Sequence, residues 1–506
     1  MSRRWLATLA ISVVVLVGGC GLLRRILPPV NAPIMNSLFG WGGEAPSEAE
    51  AKNRLSVPAD YEISLYALVP QVRMLVATPR GDLIASVPRQ DKVVLLERDK
   101  DDDGRPDAVR ELLSGVRRAH GLALSPDGWL YVGAASAIGR VRFDVATGTA
   151  QGELDYVVRG LPEGGNHWSR NVGIGPDGRL YVTVGSSCNA CVEEDERRAA
   201  MLRYEADGSG YELYARGLRN AVDFAWRPAT GELFATDNGR DLLGDDFPPC
   251  ELDRVVAGGD YGWPVANGER VPDPDNGAGQ EARIAASIPP AFPFPAHNAP
   301  LGIAFLAHPR QPAAYQGAAL VALHGSWNRT RKDGYKVVAL HWDASGVIRS
   351  DDFVTGFLDG EEVFGRPVDV VEAPNSGTIY VSDDYAGAVY AVRRRGSRGA
   401  PIGEAGSAQP RSARGDPFAG IDAGERAALV ENGATAWNAH GCAACHDSAA
   451  AAPGMVTKPL AGLAARHDLV SLTEFFAAPT PPMPAPPVEE AGRRQLAAYV
   501  LDRFGR

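Results

Sequence analysis

The chain of 506 residues predicts an all-β six-bladed β-propeller with a small all-α domain at its C-terminal end. Three observations carry that prediction. A phrase made of a proline, a Gly-bearing turn and a β-rich run recurs six times between residues 78 and 381. Gly, at 57, and Pro, at 38, are plentiful, as a body of short strands and many turns requires. A small, polar, Pro/Gly-rich stretch then separates this body from a tail whose apolar residues fall at helical spacing.

The first element is MSRRWLATLAISVVVLVGGC, residues 1–20. Arg3 and Arg4 precede an apolar run from Trp5 to Val17 that is short for a membrane span and right for the core of an export signal. Gly18-Gly19-Cys20 resembles the lipobox of bacterial lipoproteins, and the resemblance implies lipidation at Cys20. A plain signal or an uncleaved anchor is the alternative. Either way the body is expected on the periplasmic side of a bacterial membrane. Residues 21–58 are spotted with Pro and Gly and read as a tether. The net charge of −11 argues against nucleic acid as a partner.

The repeated phrase appears as TPRGDLIAS at 78, SPDGWLYVG at 125, GPDGRLYVT at 175, RPATGELFA at 227, HPRQPAAYQGAALVA at 308 and APNSGTIYV at 373. A Gly-bearing turn between two apolar runs marks a hairpin, and a four-strand unit repeating at this period marks a propeller blade. A β-sandwich does not require a repeated phrase. The two widest gaps between successive prolines imply insertions near 265–300 and 325–365. The propeller is expected over 59–395, a linker over 396–419 and the tail domain over 420–506.

In the tail, Glu425–His440 reads as a helix with Leu429, Gly433 and Trp437 on one stripe. Glu489–Phe504 reads as a second, with Leu496, Tyr499, Val500 and Phe504 on one face. HGCAACHDS at 440–448 contains C-x-x-C-H, the attachment motif of a c-type haem, through Cys442 and Cys445 with His446 as iron ligand. A glycine and an aromatic on the first helix let Tyr499 pack closely, which resembles the helix crossing of class I cytochromes c. Met483, held among the prolines of PTPPMPAPP, is the expected second iron ligand. Met455 follows His446 too closely for the chain to cross the haem.

Three cysteines remain. Cys188 and Cys191 are spaced for a short disulfide loop in an oxidising compartment, with Cys250 a buried thiol. A zinc site is the alternative, with no fourth ligand in view. In DKDDDGRPD, Asp99, Asp101, Asp103 and Asp107 stand at calcium-loop spacing around Gly104, although Arg110 at the twelfth position rules out an EF-hand. The segment reads as a structural Ca²⁺ loop or as a solvated acidic hairpin tip.

The body carries GGNHWSRNVGIGPDGRLYVTVGSSCNAC, then ARGLRNAVDFAWRPATGELFATDNGRD and GGDYGWP, then HNAPLGIAF, HGSWNRTRKDGYKVV and GRPVDVVEAPNSGTIYVSDD. In this order these segments resemble the soluble pyrroloquinoline quinone (PQQ)-dependent glucose, aldose and L-sorbosone dehydrogenases, especially the sorbosone and pyranose branch. The resemblance covers roughly 60–395. It implies a PQQ cofactor, a Ca²⁺ ion, and a base that takes the hydroxyl proton of the sugar. PQQ has three carboxylates, which call for guanidinium or ammonium partners, and an ortho-quinone that Ca²⁺ polarises. His167 matches the catalytic base, and Arg219-Asn220 the pair that contacts PQQ. Gly239 and Arg240 match two positions that bind Ca²⁺ through main-chain carbonyls. Arg366 matches the first of two PQQ-binding arginines, the second falling on Val368. A cofactor-pairing lysine has no clear counterpart; Arg329, Lys336 and His324 stand near its place, and Arg73 is a further candidate. Taken singly, a His at a loop–strand junction or an isolated Arg is more often structural.

The function implied is oxidation of an aldose, a pyranose or a sorbosone-like sugar or aldehyde. The fused haem drains the electrons toward a periplasmic or membrane acceptor, and the flexible linker raises its effective concentration. Two other readings are a hydrolytic, lactonase-like propeller, which needs an axial carboxylate cluster around Ca²⁺, and a non-enzymatic propeller that docks a redox partner.

Overall fold

A computed structural model describes residues 43–343, 345–397, 417–418, 421–446, 460, 467–476 and 488–504. Cys20 and Met483, assigned above to lipidation and haem iron, lie outside the described residues, as does the side chain of Cys445. The chain divides into two compact units, Met1–Ala405 and Gly406–Arg506.

The first unit is a ring of six sheets, antiparallel except where Gly259–Asp260 adds a short parallel strand to blade 3. Blade 1 spans 75–113, blade 2 122–159, blade 3 170–216, blade 4 221–294, blade 5 300–354, and blade 6 367–394 with a borrowed strand. Each blade begins with its innermost strand: Leu75–Ala77, Leu122–Leu124, Arg170–Ile174, Ala221–Trp226, Pro300–Phe305 and Pro367–Glu372. Each innermost strand touches those of the two neighbouring blades, so the ring closes. Blade 6 is completed by Tyr61–Leu68, which pairs with Ala388–Arg394 from Tyr61↔Arg394 to Leu68↔Ala388. The first strand of the propeller thus fastens to its last.

The second strands are the most apolar because neighbouring blades cover both faces. Leu83–Val87, Leu180–Val184 and Ala319–Leu323 are buried at every position. Outer strands meet water and carry polar residues, as in Thr149–Arg159. The repeated proline phrase is the turn between the first and second strands. Gly81, Gly128 and Gly178 supply its left-handed residue, at φ +100°, +87° and +78°. Their N–H groups bond back to Thr78, Ser125 and Gly175. The insertions fall where the wide gaps placed them. Blade 4 encloses the Ala266–Asn267/Val271–Pro272 hairpin and the helix Glu281–Ala286, and a small hairpin, Leu358–Asp359/Glu362–Val363, follows blade 5.

One expectation changes. The segment read as a tether up to residue 58 is partly structured, because it is not uniformly polar. Ser47 and Glu50 form a capping box that starts the helix Glu48–Arg54. Ala51 and Leu55 from this stretch are buried with Phe353, Phe357 and Tyr390 of blades 5 and 6. Ser56 pairs with Thr355.

In the second unit the helices Ala423–Ala439 and Glu490–Phe504 cross. Asp422 caps the first by accepting from the N–H groups of Gly424 and Glu425. A Cβ on Gly433 would collide with the Gln495 carbonyl and the Cβ of Tyr499, so the glycine sets how closely the helices approach. Trp437 packs on Tyr499 (5.7 Å between ring centres) and Phe504 (5.4 Å). The short helix Ala443–His446 follows, with the His446 ring 6.0 Å from Trp437.

Candidate active site

Antiparallel pairing puts the start of an innermost strand beside the end of the second strand. Arg170 pairs with Val184, Ala221 with Asp237, Pro300 with Leu323 and Pro367 with Asp383. Residues just before a first strand and just after a second strand therefore gather on one face, around the axis. His167, Arg219, Asn220, Gly239, Arg240, His324, Arg366 and Arg73 all hold such positions. Beneath them Met74, Val222, Leu301 and Val368 form a small buried apolar group contributed by four blades. Val368, where the second arginine of the resemblance would stand, belongs to this floor.

His167 is seated by a glycine. A Cβ on Gly185 would meet the Cβ of His167 and Oδ1 of Asn220, both at 2.6 Å, so the missing side chain brings imidazole and amide together. His167 Nδ1 lies 2.9 Å from Ser186 Oγ and 3.0 Å from Ser186 O. The Ser186 hydroxyl donates to the Cys188 carbonyl at 2.8 Å. Both groups facing Nδ1 are therefore acceptors, Nδ1 carries the proton, and Nε2 keeps a lone pair with no partner among the described residues. Burial, and then the charge of Arg219, push the pKa of His167 down to about 3. The ring is neutral at ordinary pH.

Cys188 and Cys191 are joined by a disulfide, and Asn189 inside that loop is a hub. Arg219 donates from Nε to Asn189 O (2.9 Å), from Nη2 to Asn189 Oδ1 (2.8 Å) and Asp241 Oδ2 (2.9 Å), and from Nη1 to Asn238 O (3.0 Å). Asn328 Nδ2 donates to Asp241 from the blade 5 loop at 3.2 Å. Asn220 is fixed by its N–H on Asp237.

The opposite wall holds Arg366, His324, Asp384 and Arg73. Arg366 is 5% exposed; its Nε and Nη2 donate to the carbonyls of His324 and Gly325, both at 3.1 Å. His324 Nε2 lies 2.9 Å from Asp384 Oδ1, and Arg73 Nη1 donates to Asp384 Oδ2 at 2.6 Å. Burial alone would raise Asp384, but His324, Arg73 and Arg366 outweigh it and hold the carboxyl well below its usual range. Burial and then Arg366 bring His324 down to about 4, so Asp384 carries the charge of the pair and Arg73 balances it. Arg73 Nε reaches His120 Nε2 at 3.3 Å, and the guanidinium lies 6.0 Å from the Trp168 ring.

Some sequence candidates do not join this group. Lys336 pairs with Asp352 on the outer strand of blade 5 (2.6 Å), because its side chain leaves the third strand outward. Arg329 braces a loop, donating to the carbonyls of Asp245 and Ala296 and to Asp246. The Arg240 side chain turns to Asp273 and Asp275, which leaves only its backbone at the site. Asp99, Asp101 and Asp107 bring carboxylate oxygens within 4.8 Å of one another at the tip of a blade 1 hairpin, without Asp103, and Lys100 pairs with Asp107. Cys250 is fully buried, and burial raises its thiol to about 11. Sequence reasoning missed Ser186, Asn189, Asp241, Asp384, His120 and Trp168. Only the C-x-x-C loop around Asn189 offered a signal.

The residues fit a polycarboxylate with a hard cation. Of the five N–H donors of a guanidinium, protein acceptors take four on Arg219 and two each on Arg366 and Arg73. Each keeps donors to spare. Asn238 Oδ1, Asn298 Oδ1 and Asn328 Oδ1 are buried hard oxygens in loops of this face, without a partner among the described residues. A Cβ on Gly239 would strike the Pro249 carbonyl, so the backbone there is packed as only glycine allows.

The TrAA12-like family matches residues 56–247 and 271–395, which is most of the propeller. The chain belongs to the TrAA12-like family. An uncharacterized protein of Borreliella burgdorferi is 33% identical over 220 residues, 42% of this chain and 57% of that protein. A pyrroloquinoline quinone-dependent pyranose dehydrogenase of Coprinopsis cinerea is 30% identical over 131 residues, 22% of this chain and 17% of that protein. This chain thus spans little more than half of the first relative and about a sixth of the second. Among solved structures, the holo PQQ domain of the Coprinopsis cinerea pyranose dehydrogenase superposes with a TM-score of 0.58 at 21% identity, covering 67% of this chain and 97% of that one. The calcium structure of a Trichoderma reesei family AA12 carbohydrate-active enzyme gives 0.59 at 20% identity, covering 67% and 97%. These likenesses speak for the six-bladed fold of this TrAA12-like protein.

Proposed function

We propose that this TrAA12-like protein is a PQQ- and Ca²⁺-dependent dehydrogenase of an aldose, a pyranose or a sorbosone-like sugar or aldehyde. Electrons leave through a c-type haem on Cys442 and Cys445, with His446 and Met483 as iron ligands, toward a periplasmic or membrane acceptor. The protein is exported and lipid-anchored at Cys20. The observation that carries the reading is the neutral His167, its Nε2 lone pair free, set among three guanidiniums with donors to spare.

When bound, PQQ supplies the two-electron acceptor. Arg73, Arg219 and Arg366 hold its carboxylates, and the Gly239 and Arg240 carbonyls with the amide oxygens of Asn238 and Asn328 hold Ca²⁺. His167 Nε2 takes the hydroxyl proton of the substrate. Ser186 keeps Nδ1–H in place while the ring becomes cationic. The apolar floor of Met74, Val222, Leu301 and Val368 closes the axis to water from below. Asp241 and Asp384 are each engaged by an arginine, which favours this reading over a hydrolytic one.

Calorimetric titration of PQQ into the full chain with Ca²⁺ tests the binding half of this reading. Saturable binding weakened in Arg366→Ala and Arg219→Ala is expected; absence of binding leaves a redox-docking or hydrolytic propeller instead.

A further inference from the structure

The repeated turns lie on the face opposite the His167 funnel. Between blades 3 and 4 on that face is a cavity of about 370 Å³, lined by Asp177, Tyr181, Tyr214, Trp226, Glu232 and Arg254 among others. That lies within the small-ligand range of about 300–1,000 Å³. The sequence builds it from a ring and two missing side chains. Trp226 ends the innermost strand of blade 4, facing Gly173 and Gly175 of blade 3. A Cβ on Gly173 would strike Phe224 at 2.7 Å and then the indole at 3.3 Å, and one on Gly175 would strike Asp177 and Tyr181 and then the indole at 3.2 Å, so the glycines let these rings pack close. Tyr181 stands edge-on to both Trp226 (5.1 Å, 78°) and Tyr214 (5.0 Å, 78°). The three rings hold one another as a rigid wall. Trp226 and Tyr214 stay partly exposed, and the indole N–H bonds to no group among the described residues.

The polar lining is charged but balanced. Within the lining Arg254 pairs with Glu232 (3.0 Å) and the Tyr181 hydroxyl donates to Asp177 Oδ2 (3.0 Å), while Arg203, outside the lining, reaches Asp177 at 3.4 Å. A strongly ionic ligand gains nothing from such a rim. A polyhydroxylated neutral ligand gains paired, planar donors and acceptors for neighbouring hydroxyls, while its C–H faces lie on the aromatic wall. An alkyl ligand would leave the rim and the indole N–H without use. We propose that this cavity is a second carbohydrate site, which binds one neutral pyranose unit without acting on it.

The test is calorimetric titration of the full chain, without added PQQ, with methyl β-glucoside, methyl β-galactoside and cellotetraose. The proteins are the wild type, His167→Ala, Trp226→Leu, Arg254→Met and Glu232→Gln. The proposal expects saturable binding of at least one saccharide, equal in wild type and His167→Ala. Affinity should fall at least tenfold in Arg254→Met and Glu232→Gln, which alter only the rim and keep the proposal testable if Trp226→Leu fails to fold. Unchanged affinity in both rim variants overturns it, as does the absence of binding by all three sugars up to their solubility. No turnover is read, so failure of the dehydrogenase reading leaves this result intact.

Discussion

At the scale of the residue, the proposed base, His167, is defined by what faces its other nitrogen. Ser186 spends its proton on Cys188, which fixes Nδ1–H on His167 and frees Nε2. His167→Ala is expected to lower kcat by about 10²–10⁴-fold, the usual contribution of a general base, with PQQ affinity little changed. Ser186→Ala leaves the Ser186 carbonyl as acceptor and should cost about tenfold, one hydrogen bond being worth roughly 0.5–1.5 kcal/mol. The pH dependence follows from the depressed pKa of His167, about 3 against 6.5. The neutral, active form persists as pH falls, so kcat/KM should hold from about pH 8 to 5 and drop only toward 3. An acid limb centred near 6.5 would contradict this placement of the ring. His167, Arg219, Asn220 and Arg366 were legible because they sit in ordered motif strings. Asp384 and Asn189 were not, because they act through neighbours brought by other blades. Lys336 shows the limit: its sequence position suggested the site, but its side chain pairs with Asp352 on the outer strand of blade 5.

At the scale of the element, the Cys188–Cys191 loop ties two parts of the site, His167 through the Cys188 carbonyl and Arg219 through Asn189. Cys188→Ser with Cys191→Ser should raise KM for PQQ and lower kcat together, while the far-UV circular dichroism of the propeller stays unchanged. Blade 4 adds a pH prediction. Asp237 and Asp253 are buried, and the half-buried Glu251 shares their face of paired strands. Burial, first, and then their mutual repulsion raise Glu251 and Asp253 above the usual carboxyl range. The folded chain therefore keeps protons that the unfolded chain loses above about pH 4, and stability falls as pH rises through the folded values. Glu251→Gln should raise Tm at pH 8.5 relative to wild type and leave it nearly unchanged at pH 5. In the tail, Gly433→Leu should separate the two helices at a cost of about 1–3 kcal/mol, read as lost thermal stability of that unit. The blade count was legible because each blade repeats one turn chemistry. The helix Glu48–Arg54 was missed because its capping box sits in a Pro/Gly-spotted stretch, and only blades 5 and 6 give Ala51 and Leu55 something to pack on.

At the scale of the whole molecule, the ring depends on its borrowed strand. Deleting Tyr61–Leu68 would expose the edge of blade 6 and uncover Phe353 and Tyr315, which pack on Tyr61. Loss of soluble protein is the expected result, measured by expression and size-exclusion chromatography. The larger arrangement we propose is a sugar-oxidising propeller whose two electrons would be drained by a haem on the same chain. Its most direct test uses the full chain with haem attached, given PQQ and Ca²⁺, while the absorption of the haem is followed across a panel of aldoses, pyranoses and keto-aldehydes. The account predicts haem reduction that requires both PQQ and sugar and is lost in His167→Ala. Sugar-dependent reduction that proceeds without PQQ, or at an undiminished rate in His167→Ala, would contradict it.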